Sequence, residues 1–219
     1  MRLPDHWEII SQVRYWQDQL PEGESVRNVV FMGMGEPLNN VPAVRAAAEY
    51  LIDPRGMNLG RRVTISTVGI VPEIAAVAQY PGRPRLALSL HAATNPTRKR
   101  LLPVAQRWSI EELTAAIVEY ENISGEGILY EWTIIPGIND TPEELAALAE
   151  LLSGRNAHLN LIPYHPGPSP EQFSVPSRDH MLEVQQTLQQ HGLKRITVRT
   201  SFGERIAAAC GQLAADRDL

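Results

Sequence analysis

The sequence predicts an α/β fold, a parallel sheet arranged as a partial (βα) barrel. Three observations carry that prediction. Six short β-rich runs alternate with longer amphipathic ones, the pattern of successive βαβ units. Helix starts carry capping chemistry. Small and polar residues follow every strand, where parallel α/β folds place their ligands.

Residues 4–20 read as a helix, because Ile9, Val13, Trp16 and Leu20 recur at helical spacing. Pro21-Glu22-Gly23 breaks it. Val29-Val30-Phe31-Met32 is the first strand, followed by a helix over 42–52. Val63-Thr64-Ile65-Ser66 is the second strand, and Pro72 suits the first turn of a helix over 72–80. Leu86-Ala87-Leu88-Ser89-Leu90 is the third strand. A helix follows over 109–121, with Ser109 and Glu112 spaced as a capping box. The fourth strand is 128–135. Thr141-Pro142-Glu143-Glu144 then opens a helix over 142–152 with an N-cap, a first-turn proline and acids near the positive end of the dipole. His158-Leu159-Asn160-Leu161-Ile162 is the fifth strand. The Pro- and Gly-rich stretch 163–170 is a loop, 177–191 a helix and 195–200 the last strand. A βα barrel normally opens on a strand, whereas this chain opens on a helix. Two readings are open: an extra helix, or a first strand absent from the chain.

The 219 residues are 43% hydrophobic and 21% charged, an ordinary globular balance that excludes a disordered tail and a collagen-like fibre. Twenty Lys and Arg against 25 Asp and Glu leave a net charge of −5, which argues against gripping nucleic acid by bulk charge. A local basic patch remains compatible with it. Two basic runs stand out: Arg98-Lys99-Arg100 with Arg107, and Lys194-Arg195 with Arg199 and Arg205. Most such runs are solvated faces, but on the strand-end side they would meet phosphates. No apolar run approaches the roughly 20 residues that span a bilayer. Met1-Arg2-Leu3-Pro4-Asp5-His6 lacks the layout of a secretory signal. A cytoplasmic protein, without membrane association, is expected. Cys210 is the single cysteine, so an internal disulfide is excluded, that cysteine alone cannot hold zinc or an iron–sulfur cluster, and no metal ligand set is expected.

The strand ends supply the candidate site residues. Gly33-Met34-Gly35-Glu36-Pro37 follows the first strand; its glycines let backbone approach a ligand, and Glu36 can accept from a cationic amine. A tight turn with a solvated Glu is the plainer alternative. His91 and His165 each suit a ligand contact or a satisfied core position. Cys210 lies among alanines, which fits a buried inert thiol, though Gly211 beside it suggests a turn.

Taken in order, GMGEP (33–37), Arg61-Arg62-Val63-Thr64-Ile65-Ser66-Thr67-Val68-Gly69, Leu86-Ala87-Leu88-Ser89-Leu90-His91-Ala92, Asn160-Leu161-Ile162-Pro163-Tyr164 and Ala208-Ala209-Cys210-Gly211-Gln212-Leu213 resemble the radical S-adenosylmethionine adenine-C2 RNA methyltransferases. The resemblance runs from about Val26 to about Leu213. It implies a partial barrel of the radical S-adenosylmethionine type, and methylation of C2 of an adenine in 23S rRNA, in some members also in tRNA. By position, Gly35 and Glu36 would hold the methionyl amine of S-adenosylmethionine, with Ser66, Ser89, Leu90 and His91 as further cofactor contacts. Cys210 would be the catalytic residue that receives a methyl group and bridges covalently to the base. In the family a second S-adenosylmethionine is cleaved reductively to a radical that activates that methyl. The family's partners are the RNA and an external electron donor of the flavodoxin type, and a monomer is expected.

Three departures accompany the resemblance. The family holds a [4Fe–4S] cluster through a Cys-x-x-x-Cys-x-x-Cys loop after its first strand, and this chain has no such loop. The family's second, adduct-resolving cysteine and its N-terminal RNA-gripping domain are also missing. His165 stands where the family has a cofactor-contacting Asn, and imidazole replaces only part of an amide's donor–acceptor pair. The expectation for residues 1–219 is therefore a truncated core domain with a C-terminal strand and the methyl-accepting cysteine segment, inactive alone. Two readings compete with it: a non-catalytic remnant that binds S-adenosylmethionine or RNA, and an unrelated βα barrel using Glu36 and His91 as acid and base.

Overall fold

Helix α1 (His6–Gln19) starts where Asp5 accepts from the Glu8 amide (2.9 Å) and the Glu8 carboxylate accepts from the Asp5 amide (2.8 Å). This reciprocal cap satisfies two amides that a helix start leaves open. The sequence reading places the helix but not this cap. The structure is a computed structural model, and it describes residues 2–32, 35–166 and 173–199. Among these, no helix is long and apolar enough to cross a membrane.

The described chain alternates strand and helix, and strand order in the sheet follows chain order from β1 to β6. The six strands are β1 (Val29–Phe31), β2 (Val63–Thr67), β3 (Arg85–Ser89), β4 (Leu129–Ile134), β5 (His158–Pro163) and β6 (Ile196–Val198). The helices after α1 are α2 (Val41–Ile52), α3 (Val71–Val77), α4 (Asn95–Leu101), α5 (Ile110–Ser124), α6 (Pro142–Leu152) and α7 (Arg178–Gln190). The predicted α/β class and all six strands are thus observed. Helix α4 is not anticipated: NPTRKRL has no apolar period, and its proline looks like a breaker rather than a first-turn residue.

The described residues fall into two compact units, one from 2–88 with 112–128 and the other from 89–111 with 129–199. In the first, β1 pairs in parallel with β2, Phe31 opposite Ile65, and β2 pairs with β3, Ser66 opposite Ala87. Val44, Ala47, Ala48, Leu51 and Ile52 give α2 a buried face, and Val63 and Ile65 are buried on β2. In the second, β4 pairs with β5, Glu131 opposite Asn160, and β5 pairs with β6, Leu161 opposite Val198. Leu145, Leu148 and Leu152 of α6 and Met181, Val184 and Leu188 of α7 are buried at helical spacing. Thr141 caps α6 as predicted, its hydroxyl accepting from the Glu144 amide (3.3 Å).

Candidate functional site

In the first unit, Glu36 closes the turn after β1. One carboxylate oxygen accepts from the Leu38 amide (2.9 Å), as the cap of a short helical turn. The other accepts from the Val68 amide (2.8 Å), just beyond the end of β2. The carboxylate therefore ties two strand ends together instead of hanging in solvent. An ionised carboxylate offers about four lone-pair sites. Two are engaged among the described residues, by the Leu38 and Val68 amides, and a carboxylate has capacity for a cationic donor besides. Among the described residues, nothing outside its chain neighbours lies within 4 Å of where a Gly35 Cβ would stand. Gly33 and Met34 lie outside the described residues. Ser66 is buried near the end of β2, at 5% exposure.

In the second unit, the chain leaving β3 makes a sharp change of direction. His91 has φ of 55°. Left-handed backbone is uncommon for a non-glycine residue and costs roughly 1–2 kcal/mol. Asn139 holds it there. Its Nδ2 donates to the His91 carbonyl (2.8 Å) and the Thr133 carbonyl (2.6 Å), and its Oδ1 accepts from the Ile135 amide (2.8 Å). The Thr133 amide donates to His91 Nδ1 (3.0 Å). With Nδ1 acting as acceptor, the ring proton of neutral His91 belongs on Nε2, which becomes a donor.

Burial, and secondarily the Arg98 guanidinium, push the His91 imidazole down to about 4 from 6.5. Folding then favours the neutral ring, so stability is full above pH 6.5 and falls as pH drops from 6.5 towards 4. The expected loss is about 3 kcal/mol. Urea unfolding midpoints measured across that window should fall with pH in the wild-type chain, and His91→Gln should remove this component.

Leu90 is fully buried. Its amide donates to the Glu131 carbonyl (3.0 Å), and its carbonyl accepts from Arg98 Nε (3.3 Å) and the Ala92 amide (2.8 Å). The expected Leu90 cofactor contact therefore has no free polar backbone group behind it. Ser89 Oγ donates to Glu131 (3.3 Å). His165 is half-buried in the segment after β5. Cys210 and Arg205 lie outside the described residues.

The basic runs resolve differently from a pair of solvated faces. Arg98 is buried at 1% exposure, and desolvation pulls its guanidinium down to about 10. Lys99, Arg100 and Arg107 are exposed; Arg100 lies over the Phe173 ring and Arg107 over the Trp108 ring. Lys194 and Arg195 precede β6 and line a cavity of about 450 Å³ with Arg155 and His191, whereas Arg199 follows β6. The two parts of that run thus sit at opposite ends of one strand.

Sequence reasoning missed three residues. Two are Asn139, which donates to the His91 carbonyl, and Glu131, which accepts from Ser89. Glu144, read as a dipole-compensating acid, is buried at 3% and accepts from the Ala93 amide (2.8 Å) and the Thr94 hydroxyl, so it fixes the loop after β3. A charged or amide residue inside an apolar run was the available signal for Glu131.

A family model described as the Radical SAM superfamily matches residues 5–152. A probable dual-specificity RNA methyltransferase RlmN of Symbiobacterium thermophilum is 44% identical over 207 residues, which are 94% of this chain and 56% of that protein. A dual-specificity RNA methyltransferase RlmN of Sorangium cellulosum is 42% identical, over 94% of this chain and 53% of its own length. The chain therefore spans little more than half of these relatives. A radical SAM methyltransferase crystal structure from Sphaerobacter thermophilus superposes with a TM-score of 0.91 at 38% identity, covering 97% of this chain and 62% of that one. A domain of a pyruvate-formate lyase-activating enzyme from Bacteroides vulgatus shares the fold, with a TM-score of 0.60 at 18% identity, over 80% of this chain and all of that one.

Proposed function

The chain belongs to the radical SAM superfamily, and from that premise we propose that it is the cofactor-holding part of an RNA methyltransferase acting on C2 of an adenine, in 23S rRNA and also in tRNA. The observation that carries this is Glu36, fixed between the ends of β1 and β2 by the Leu38 and Val68 amides. An immobilised carboxylate with spare lone pairs suits the methionyl ammonium of S-adenosylmethionine. No described residue outside its chain neighbours crowds the Cβ position of Gly35 beside it. In this reading Ser66, Ser89 and His91 add polar contacts, the last through its Nε2 proton. His165 takes the place of an amide, and Cys210 accepts the methyl group. S-adenosylmethionine, when bound, supplies the methyl group. The protein's own residues orient the cofactor and exclude water. The superfamily match removes the competing reading as an unrelated barrel, and His91, held neutral with Nδ1 engaged, is a poor base at neutral pH.

The second family cofactor does not fit these residues. A [4Fe–4S] cluster needs several cysteine thiolates, and the 219 residues contain one cysteine. The proposal is that this chain by itself methylates no RNA. Reconstitution with iron and sulfide tests it: no stoichiometric absorbance at ~400 nm is expected, and a clear stoichiometric band would overturn the inactivity. RNA binding, an electron donor of the flavodoxin type, a monomeric state and a cytoplasmic setting belong to the same proposal.

A further inference from the structure

Central strands of a parallel sheet are ordinarily apolar on both faces. β4 departs from that rule. Tyr130, Trp132 and Ile134 are buried, and so is Glu131 between them, at 5% exposure. Register places Glu131 opposite Asn160, and Asn160 opposite Thr197. Residues opposite one another share a face, so a polar row crosses β4, β5 and β6. His158 Nε2 meets Thr197 Oγ1 at 2.6 Å on that face. Arg199, two residues beyond Thr197, brings Nη1 to 3.8 Å from one Glu131 oxygen. The other oxygen accepts from Ser89 Oγ (3.3 Å).

A buried carboxylate carries a desolvation cost of several kcal/mol, which its partners must offset. Well-packed apolar residues often serve stability as well or better. Glu131 therefore needs a reason beyond stability, and Ser89 supplies one. A hydroxyl has one proton. Once Ser89 donates that proton to Glu131, its oxygen faces any further partner only as an acceptor. A free hydroxyl would rotate and offer either role. Arg199 balances the carboxylate from its other oxygen and leaves the Ser89 contact intact.

We propose that Glu131 is a positioning residue for cofactor binding: it fixes the Ser89 hydroxyl as an acceptor for a donating group, an ammonium or a sugar hydroxyl, of S-adenosylmethionine. This rests on the reading of Ser89 as a cofactor contact. Calorimetric titration with S-adenosylmethionine tests it on the full chain, on Ser89→Ala, on Glu131→Met, which removes the acceptor at similar size, and on the double variant, with thermal midpoints recorded for each. Each single substitution should weaken binding roughly tenfold. The double variant should bind no more weakly than Ser89→Ala, because Glu131 acts through that hydroxyl. If Glu131→Met does not fold, Glu131→Asp, which keeps the charge but withdraws it from Ser89, should give the same loss and the same non-additivity. Unchanged affinity in the Glu131 variant, or losses that add in the double variant, would overturn the proposal and leave the cofactor reading standing. Absence of binding by the unsubstituted chain would overturn both.

Discussion

Asn139→Asp is expected to lower the free energy of unfolding by about 3–5 kcal/mol, the range for leaving a buried charge unpaired. Asn139 is fully buried. Its Nδ2 faces two carbonyl oxygens, those of His91 and Thr133. Aspartate puts an acceptor where both carbonyls need a donor. An ionised carboxylate there meets like partial charges, and a protonated one serves at most one of the two carbonyls. The Ile135 amide keeps its acceptor, so the damage falls on the left-handed turn at His91. Urea denaturation at neutral pH reads the loss directly. A change below 1 kcal/mol would show that the turn at His91 does not depend on this amide.

Glu36→Gln is expected to weaken S-adenosylmethionine binding about a hundredfold. Two effects combine. The carboxylate accepts one backbone amide on each oxygen, Leu38 on one and Val68 on the other. Glutamine has a single acceptor oxygen, so its NH2 confronts one of those amides as a second donor. The charge that would face an ammonium is also lost. Calorimetry measures the affinity, and the thermal midpoint shows how much of the effect is loosening of the two strand ends. An affinity within threefold of the wild type would remove Glu36 from the binding role.

Much of the fold is legible in the sequence because local signals agree with one another. β-Rich runs, helical spacing and the Thr141 cap all point to the same parallel arrangement, and the six strands stand where those signals place them. Helix α4 escapes because its residues are polar and basic, so it has no period to read, and Arg98 is buried where a basic run suggests solvent. The residues proposed for the site, Glu36, Ser89 and His91, are marked in the sequence by motifs at strand ends. Their supporting groups are not. Glu131 meets Ser89 across 42 positions, and Asn139 meets His91 across 48. Such pairings are set by strand register and tertiary packing, which no local pattern encodes. Leu90 lies in the same motif, and its burial and the bonds of its amide to Glu131 and of its carbonyl to Ala92 are likewise set by tertiary packing.

A heteronuclear NMR titration of the nitrogen-labelled chain with S-adenosylmethionine, read at backbone amides, tests the cofactor assignment most directly. The Leu38 and Val68 amides, which hold the Glu36 carboxylate, should shift and saturate along with those of Ser89 and His91. Amides of Leu193, Lys194 and Arg195, which line the cavity before β6, should stay where they are. Saturable shifts confined to that cavity, or no saturable shift at all, would contradict the account.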